Sequence, residues 1–258
     1  MLLVAAWAQG PVARWTPELA FAVKRVGSVA ISPDGRWAAV EVSEPLMEAE
    51  PSEWRTSVYL YAVGGAGQQA ARRVETPASA PAWSPDGRWL AFASSRSGKR
   101  DVWRVALDGS GGAERLTDVN GELGEFRWSP DGRRMAFVLT DPTLPARDAR
   151  VVGEAQRFAR LYLVDVAGDA TGRGRVARLL TPQDVQVGGH VGAGMSGPAF
   201  DWSPDGAAIA FSHSPSPAGD DWVRADVSVV EVATGRTRPL VATPAAEGGP
   251  ASPNGRSR

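Results

Sequence analysis

A four-residue phrase recurs five times along this chain, and it limits the folds that are available. Four copies read Ser-Pro-Asp-Gly and the last reads Ser-Pro-Asn-Gly, at residues 32–35, 84–87, 129–132, 203–206 and 252–255. The prolines stand at positions 33, 85, 130, 204 and 253, and a repeat of roughly 50 residues with turn residues at a fixed offset is typical of an array of similar units.

Each phrase predicts a tight turn between two strands. Proline presets φ at the first central position, aspartate can bond to its own backbone, and glycine takes a positive φ without strain. A structural role in the turn is therefore assigned to the residues after each serine: Pro33, Asp34, Gly35, Pro85, Asp86, Gly87, Pro130, Asp131, Gly132, Pro204, Asp205 and Gly206.

Around the second turn the pattern predicts four antiparallel strands, at residues 80–83, 88–93, 101–107 and 113–117. The other copies fit the same plan, with third and fourth strands at 56–63 and 71–75, 161–166 and 176–181, and 226–232 and 237–241. We therefore predict an all-β chain, a partial β-propeller of about four four-stranded antiparallel blades that is open or truncated.

The repeats also predict how the chain is divided. Residues 1–27 form an N-terminal segment, residues 28–241 hold blades one to four, and residues 242–258 are a linker with the truncated start of a fifth blade. The long interval before the fourth turn holds two insertions, at 141–157 and 182–197. Insertions of this kind belong on the surface and often carry function.

The N-terminal segment leaves the compartment open. Residues 1–8 are apolar and end Ala6-Trp7-Ala8, which fits either the tail of a signal peptide or a disordered terminus. The first alternative places the protein in the periplasm or outside the cell, and the second in the cytoplasm. Thr16 and Pro17 predict the start of a short helix that runs to about Lys24. No stretch is long and apolar enough to span a membrane.

Composition excludes several classes of partner. The net charge is −1, so no basic surface favours binding to nucleic acid or to an anionic membrane. The chain has no cysteine, so it forms no disulfide. No motif in it predicts a cofactor.

The sequence offers weak candidates for catalysis. Residues 194–198, with Ser196 at their centre, break the G-x-S-x-G pattern at the last position, where Pro198 stands. The two histidines, His190 and His213, have no neighbour at metal-ligand spacing. We therefore predict no catalytic, cofactor-binding or metal-binding residue and no enzymatic activity.

Two tryptophans are candidates for binding instead. Trp54 and Trp222 lie in predicted loops, whereas most of the other tryptophans lie on predicted strands. A large aromatic side chain on a loop is suited to contact a partner or a peptide. We therefore predict that Trp54 and Trp222 contact a partner domain or an oligopeptide.

The repeat resembles that of a known family. The phrase Trp-Ser-Pro-Asp-Gly-Arg-Trp-Leu-Ala-Phe at 83–92 resembles the TolB-type propeller repeat. Residues 15–27, residues 200–206, and Asp221-Trp222 with the strand after them resemble prolyl oligopeptidase family peptidases of the dipeptidyl aminopeptidase/acylaminoacyl-peptidase type. The resemblance implies a propeller that caps a C-terminal α/β-hydrolase domain, in which a Ser-Asp-His triad carries out proteolysis.

Two functional hypotheses follow. In the first, the chain is a fragment of a serine peptidase, and its propeller gates or binds oligopeptides for a missing hydrolase domain, which is its partner. In the second, it is a TolB-like propeller that acts as a protein-binding scaffold. A third interpretation, a lactonase-like propeller enzyme, needs metal-binding carboxylates in a central channel, and nothing in the sequence indicates them.

Overall fold

The computed structural model describes residues 23–46, 53–64, 72–75, 77–142, 156–167, 175–188 and 198–241. Within these ranges the strands form four antiparallel sheets that follow one another along the chain. The predicted signal peptide remnant, the N-terminal helix before residue 23, and the linker with the start of a fifth blade at 242–258 lie outside the described residues.

Each sheet is one blade, with its strands in chain order. Blade one consists of β1 (Arg25–Ile31), β2 (Trp37–Leu46), β3 (Glu53–Ala62) and β4 (Arg72–Glu75). Blade two consists of β5 (Ser79–Trp83), β6 (Trp89–Ser94), β7 (Asp101–Ala106) and β8 (Glu114–Arg115). Blade three consists of β9 (Glu122–Trp128), β10 (Arg134–Thr140), β11 (Ala159–Asp165) and β12 (Arg178–Leu179).

Blade four departs from this plan at its first strand. It consists of β13 (Gln186–Val187), β14 (Phe200–Trp202), β15 (Ala208–Ser214), β16 (Asp226–Glu231) and β17 (Thr237–Val241), with a 3-10 helix at Gly219–Arg224. Both β13 and β14 pair with β15, at opposite ends of that strand. The predicted insertion at 182–197 is therefore partly strand, because Val187 pairs with His213 and is only 1% exposed.

The propeller prediction is confirmed: the structure is a partial open propeller of four antiparallel blades. Strand bounds differ in detail. The predicted fourth strand at 113–117 is only two residues long, because the Asp101 carboxylate accepts hydrogen bonds from Thr117 Oγ1 at 2.9 Å and from the Val119 N–H at 3.2 Å. β1 begins at Arg25, three residues before the predicted start of the blades.

Three apolar clusters lie between successive blades. Alternation along β10 shows how both faces of a blade are used. Met135 and Phe137 pack towards blade two with Ala91 and Val102, whereas Ala136 packs towards blade four. Phe92, Phe137 and Phe211 are at most 1% exposed, and burial of such a side chain stabilises the fold by about 1.5–3 kcal/mol. The core is therefore a series of layers between sheets.

Candidate functional site

The repeated turns share one hydrogen-bonding pattern. In the first turn, Ser32 Oγ donates to Asp34 Oδ1 at 2.6 Å and accepts from the Trp37 N–H at 2.9 Å. The Gly35 N–H donates to the Ser32 carbonyl at 2.8 Å, and Gly35 has φ of 70°. The same bonds recur in the turns that begin at Ser84, Ser129 and Ser203.

Serine is the turn residue whose role sequence reasoning missed. Ser84 is 2% exposed and Ser129 is fully buried, so each hydroxyl is a buried donor and acceptor. The recurrence of serine in all five copies was the signal that could have identified it. The pKa of the aspartate is lowered in all four described turns: the serine hydroxyl is the largest cause at Asp34, Asp131 and Asp205, and at Asp86 burial opposes the shift while the Ser84 hydroxyl and Arg88 lower the pKa. The side chains of these aspartates therefore have a structural role in the turn.

Successive turns stack on one another. A Cβ atom added at Gly87 would lie 3.6 Å from Pro33 Cδ of the preceding turn. The equivalent distances are 3.5 Å from Gly132 to Pro85 and 3.6 Å from Gly206 to Pro130. The turns therefore form a row along one side of the propeller, with each glycine beside the previous proline.

The tryptophan before a turn links its blade to the preceding one. Trp83 Nε1 donates to the Ala30 carbonyl at 2.9 Å, and Trp128 Nε1 donates to the Ala82 carbonyl at 3.1 Å. Trp202 stands at the same repeat position, yet its buried Nε1 has no hydrogen-bond partner. The joint between blades three and four therefore lacks the indole bond found at the two joints before it.

Glutamates make a second kind of link. The Ala80 N–H donates to Glu41 Oε2 at 2.8 Å, and the Ala199 N–H donates to Glu125 Oε2 at 2.8 Å. Ala80 has φ of 51°, a conformation that non-glycine residues rarely adopt. The carboxylate of blade one therefore holds the first strand of blade two in a strained conformation.

The opposite end of the blades carries the predicted contact residues. The turns join first and second strands, so the connections between second and third strands lie at the other end of each antiparallel sheet. Trp54 lies at the start of β3, where it is 47% exposed and the Arg25 guanidinium lies 4.3 Å from its ring centroid. Trp222 belongs to the 3-10 helix that follows β15. The prediction that Trp54 lies in a loop is therefore wrong, because Trp54 pairs with Pro45 within the sheet of blade one, whereas Trp222 lies in the connection between β15 and β16.

A serine–histidine contact exists in blade four, but it lies within the sheet. His213 Nε2 and Ser228 Oγ are 2.8 Å apart on adjacent strands, and Asp226 pairs with His213 in register. Burial lowers the pKa of His213, and the Asp226 carboxylate opposes that shift. Ser228 is only 5% exposed and lies mid-strand, whereas a hydrolase nucleophile stands on a sharp, accessible turn. The pair is suited to join two strands.

Among the residues that the structure describes, no group of three or more His, Asp or Glu side chains could hold a metal ion. No helix in that part of the chain is long and apolar enough to cross a membrane. Ser196 and His190 lie outside the described residues.

Several curated proteins match part of the chain, and three of them have informative names. Dipeptidyl-peptidase 5 of Porphyromonas gingivalis is 32% identical over 87 residues, which is 34% of this chain and 12% of the relative. The uncharacterized peptidase YuxL of Bacillus subtilis is 32% identical over 88 residues, 34% of this chain and 13% of the relative. TolB of Syntrophus aciditrophicus is 49% identical over 47 residues, 17% of this chain and 10% of the relative. Each match thus spans a small part of a longer protein, and no family model matches the chain.

Solved structures share the fold over most of the chain. Acylaminoacyl peptidase of Pyrococcus horikoshii has a TM-score of 0.58 at 14% identity, covering 86% of this chain and 33% of that one. The β-propeller domain of the Trilobed protease from Pyrococcus furiosus has a TM-score of 0.54 at 12% identity, covering 85% and 57%. TolB from Acinetobacter baumannii has a TM-score of 0.50 at 22% identity, covering 85% and 44%.

At these identities the structural matches concern the fold, and the partial sequence matches connect that fold to peptidases and to TolB. The turn phrase, the four antiparallel blades and the order of their strands agree with both. Together they show that the chain is a β-propeller similar to TolB and to the propellers of peptidases.

Proposed function

We propose that this propeller is the non-catalytic part of a serine peptidase and that it binds or gates oligopeptides for a C-terminal α/β-hydrolase domain. The observation that carries the proposal is the 32% identity to two proteins named as peptidases, over 34% of the chain in each case. The fold match to an acylaminoacyl peptidase over 86% of the chain supports it.

The end of the blades opposite the turns is the proposed contact surface. Exposed aromatic side chains supply large contact areas at low entropic cost, and Trp and Arg are enriched where proteins meet. Trp54 is exposed while its ring is held beside Arg25, so it is ordered before a partner arrives. Trp222 lies in the connection between β15 and β16 of blade four. We propose that both contact the hydrolase domain or the peptide.

The non-catalytic part of the proposal is tested with the purified chain. We expect no hydrolysis of aminoacyl or acylaminoacyl p-nitroanilides, because Ser228 is 5% exposed and lies mid-strand beside the partly buried His213. Ser228→Ala and Ser196→Ala variants serve as controls for the two serines with any claim to nucleophilicity. Turnover that one of these substitutions abolishes would contradict the proposal.

The partner is tested by reading the genomic DNA downstream of codon 258. A peptidase predicts further Ser-Pro-Asp-Gly turns in frame and then a G-x-S-x-G motif followed by its acid and histidine. The second candidate function, a protein-binding scaffold, is favoured by the 49% identity to TolB over 47 residues. A stop codon with no hydrolase region after it would reject the peptidase proposal and leave the scaffold.

A further inference from the structure

A cavity of about 380 Å³ opens between blades three and four. Its polar lining comes from Arg134, Asp165 and Arg178, and its apolar lining includes Leu163 and Val232. A polar cleft of this size with an apolar wall is suited to a small ligand or to the end of a chain. It lies near the row of turns, away from the end that carries Trp54.

The cavity lies where the repeat departs from its own pattern. The residue five positions after the turn serine is Trp37 in the first copy, Trp89 in the second and Arg134 in the third. Trp37 packs into the core between blades one and two, and Trp89 into that between blades two and three. The exchange of a large indole for a guanidinium at the third joint leaves volume between the sheets.

The second joint is filled by a further set of contacts that the third joint lacks. The Arg104 guanidinium lies 4.0 Å from the Trp89 ring centroid and pairs with Glu114 at 2.7 Å. Arg175 crosses from blade three to Glu114 and donates to the Arg115 carbonyl at 2.9 Å. Indole, guanidinium and carboxylate therefore occupy the space that is open one joint later.

The strand register places the polar groups of the cavity on one face. Arg134 is paired with Asp165, and Leu163 is paired with Arg178, across β10, β11 and β12. Residues two apart on a strand point to the same side, so Leu163 and Asp165 share a face with both arginines. That face packs towards blade four, since Leu163 belongs to the apolar cluster between the two blades.

The two guanidinium groups keep donors available. Arg178 donates one bond, from Nη2 to the Val232 carbonyl at 2.6 Å. Arg134 Nη2 lies 3.5 Å from the Gly206 carbonyl, where a hydrogen bond is weak, and 4.0 Å from Asp131, which is too far for a hydrogen bond. A guanidinium has five N–H donors, so most of them remain for a ligand.

The residues that line the cavity determine which kind of ligand it could bind. Two arginines and one aspartate give the cavity a net charge of about +1, which a monoanion would neutralise. Guanidinium groups bind planar carboxylates through paired hydrogen bonds. Asp165 adds an acceptor for an N–H donor, and Leu163 and Val232 add an apolar wall.

We propose that this cavity binds a carboxylate that has an N–H donor and a small apolar group beside it. The C-terminal residue of a peptide and a free N-acyl amino acid share that chemistry. The site does not depend on the proposed peptidase role, because a scaffold would bind the same group equally well.

The test measures binding to the purified chain by calorimetry and by NMR of the Trp202 indole N–H, which lies beneath Arg134. The probes are N-acetyl-alanyl-alanine, its C-terminal amide, N-acetylalanine and inorganic phosphate. Arg134→Trp restores the residue of the first two copies and should fill the cavity, and Arg178→Gln removes the second guanidinium. Arg133→Gln is the matched control, because it removes a neighbouring charge that does not line the cavity.

We expect the acetylated dipeptide acid to bind and its amide to bind at least about tenfold more weakly, since a charge-assisted bond is lost. Arg134→Trp and Arg178→Gln should each weaken binding by about tenfold or more, and Arg133→Gln by less than about twofold. If only the acetylated dipeptide binds, the cavity binds the C-terminal residue of a peptide. If N-acetylalanine binds equally well, the cavity binds a free N-acyl amino acid.

Four results would overturn the proposal. The first is no binding of either acid, the second is equal binding of acid and amide, and the third is phosphate binding as tight as that of the acids. Unchanged affinity in Arg178→Gln would also reject it. Arg178 is an exposed side chain, so that variant should fold even where Arg134→Trp does not.

Discussion

At the residue scale, the tryptophans before the second, third and fourth turns differ in how they join their blades to the previous ones. Trp83 and Trp128 donate to backbone carbonyls of the preceding blade, whereas the Nε1 of Trp202 is buried without a partner. The same residue at the same repeat position therefore makes different contacts. This difference provides a matched experiment.

Trp128→Phe should destabilise the protein by about 1–2 kcal/mol more than Trp202→Phe, because only the first change leaves a backbone carbonyl, that of Ala82, without its donor. Trp128 is 8% exposed and Trp202 is only partly buried, so the difference reports the hydrogen bond together with the deeper burial of Trp128. Urea unfolding of the two variants and the wild type measures it. Equal losses would show that the indole bond contributes nothing.

His213 should make stability depend on pH. Burial lowers its pKa below the ordinary value of 6.5, so the folded state binds the proton less readily than the unfolded state. The contribution of neutral His213 to the free energy of unfolding is fully present above pH 6.5, and it is lost as the pH falls through the pKa of His213 in the folded state. The urea concentration at the midpoint of unfolding should therefore be lower at pH 5.5 than at pH 7.5.

The control uses the other histidine of the chain. His213→Gln should lose most of the difference between the two midpoints, and His190→Gln should keep it. The aspartates of the turns do not interfere, because their pKa values are lowered from 3.8 and they titrate below this window. A pH dependence that survives His213→Gln would assign the effect to another group.

At the element scale, the repeated turns connect the first and second strands of each blade and also contact one another. Proline, aspartate and glycine were assigned to the turn from their individual conformational properties. The structure adds serine, whose hydroxyl bonds to the aspartate and to the strand that follows. It also places each turn glycine beside the preceding proline, a contact between repeats that no single copy could predict.

Gly132→Ala should destabilise the protein by about 1–2 kcal/mol, because a non-glycine residue pays that cost in the left-handed region. Gly132 has φ of 69°, and its added Cβ would lie 3.5 Å from Pro85 Cδ. Gly112→Ala is the control, since nothing lies within 4 Å of a Cβ there. Thermal unfolding measures both, and equal melting temperatures would contradict the turn's role.

The sequence predicted long strands better than short ones. β6, β7 and β16 were predicted to within a few residues because alternation over six residues is visible in the pattern. β13 is two residues long and has no period, so it was taken for insertion. The cavity was not predicted either, because Arg134 on β10 and Arg178 on β12 line it from positions that are far apart in the sequence.

At the scale of the whole molecule, the first blade presents an apolar face. Val26, Val29 and Ile31 of β1 are 67%, 56% and 55% exposed. The inner blades, by contrast, bury apolar residues on both faces of their second strands. Contiguous exposed apolar surface favours association.

The purified chain should therefore self-associate, and the Val29→Lys/Ile31→Lys double variant should reduce that association. Charged residues on an exposed strand oppose the approach of another sheet. Light scattering across a concentration series measures it, with Ser110→Lys in an exposed turn as the control. A wild-type chain that is a monodisperse monomer with a sharp, cooperative melt would reject this prediction.

The links from tryptophans, glutamates and turn glycines described above join blades that are neighbours along the chain. Free energy in such a stack is approximately a sum of terms for single blades and for the interfaces between neighbours. An end blade can then open while the others stay folded, so amide protons of β6, β7 and β10 should exchange most slowly with solvent. A substitution in one blade is accordingly felt by the adjacent blade and hardly at all by the next.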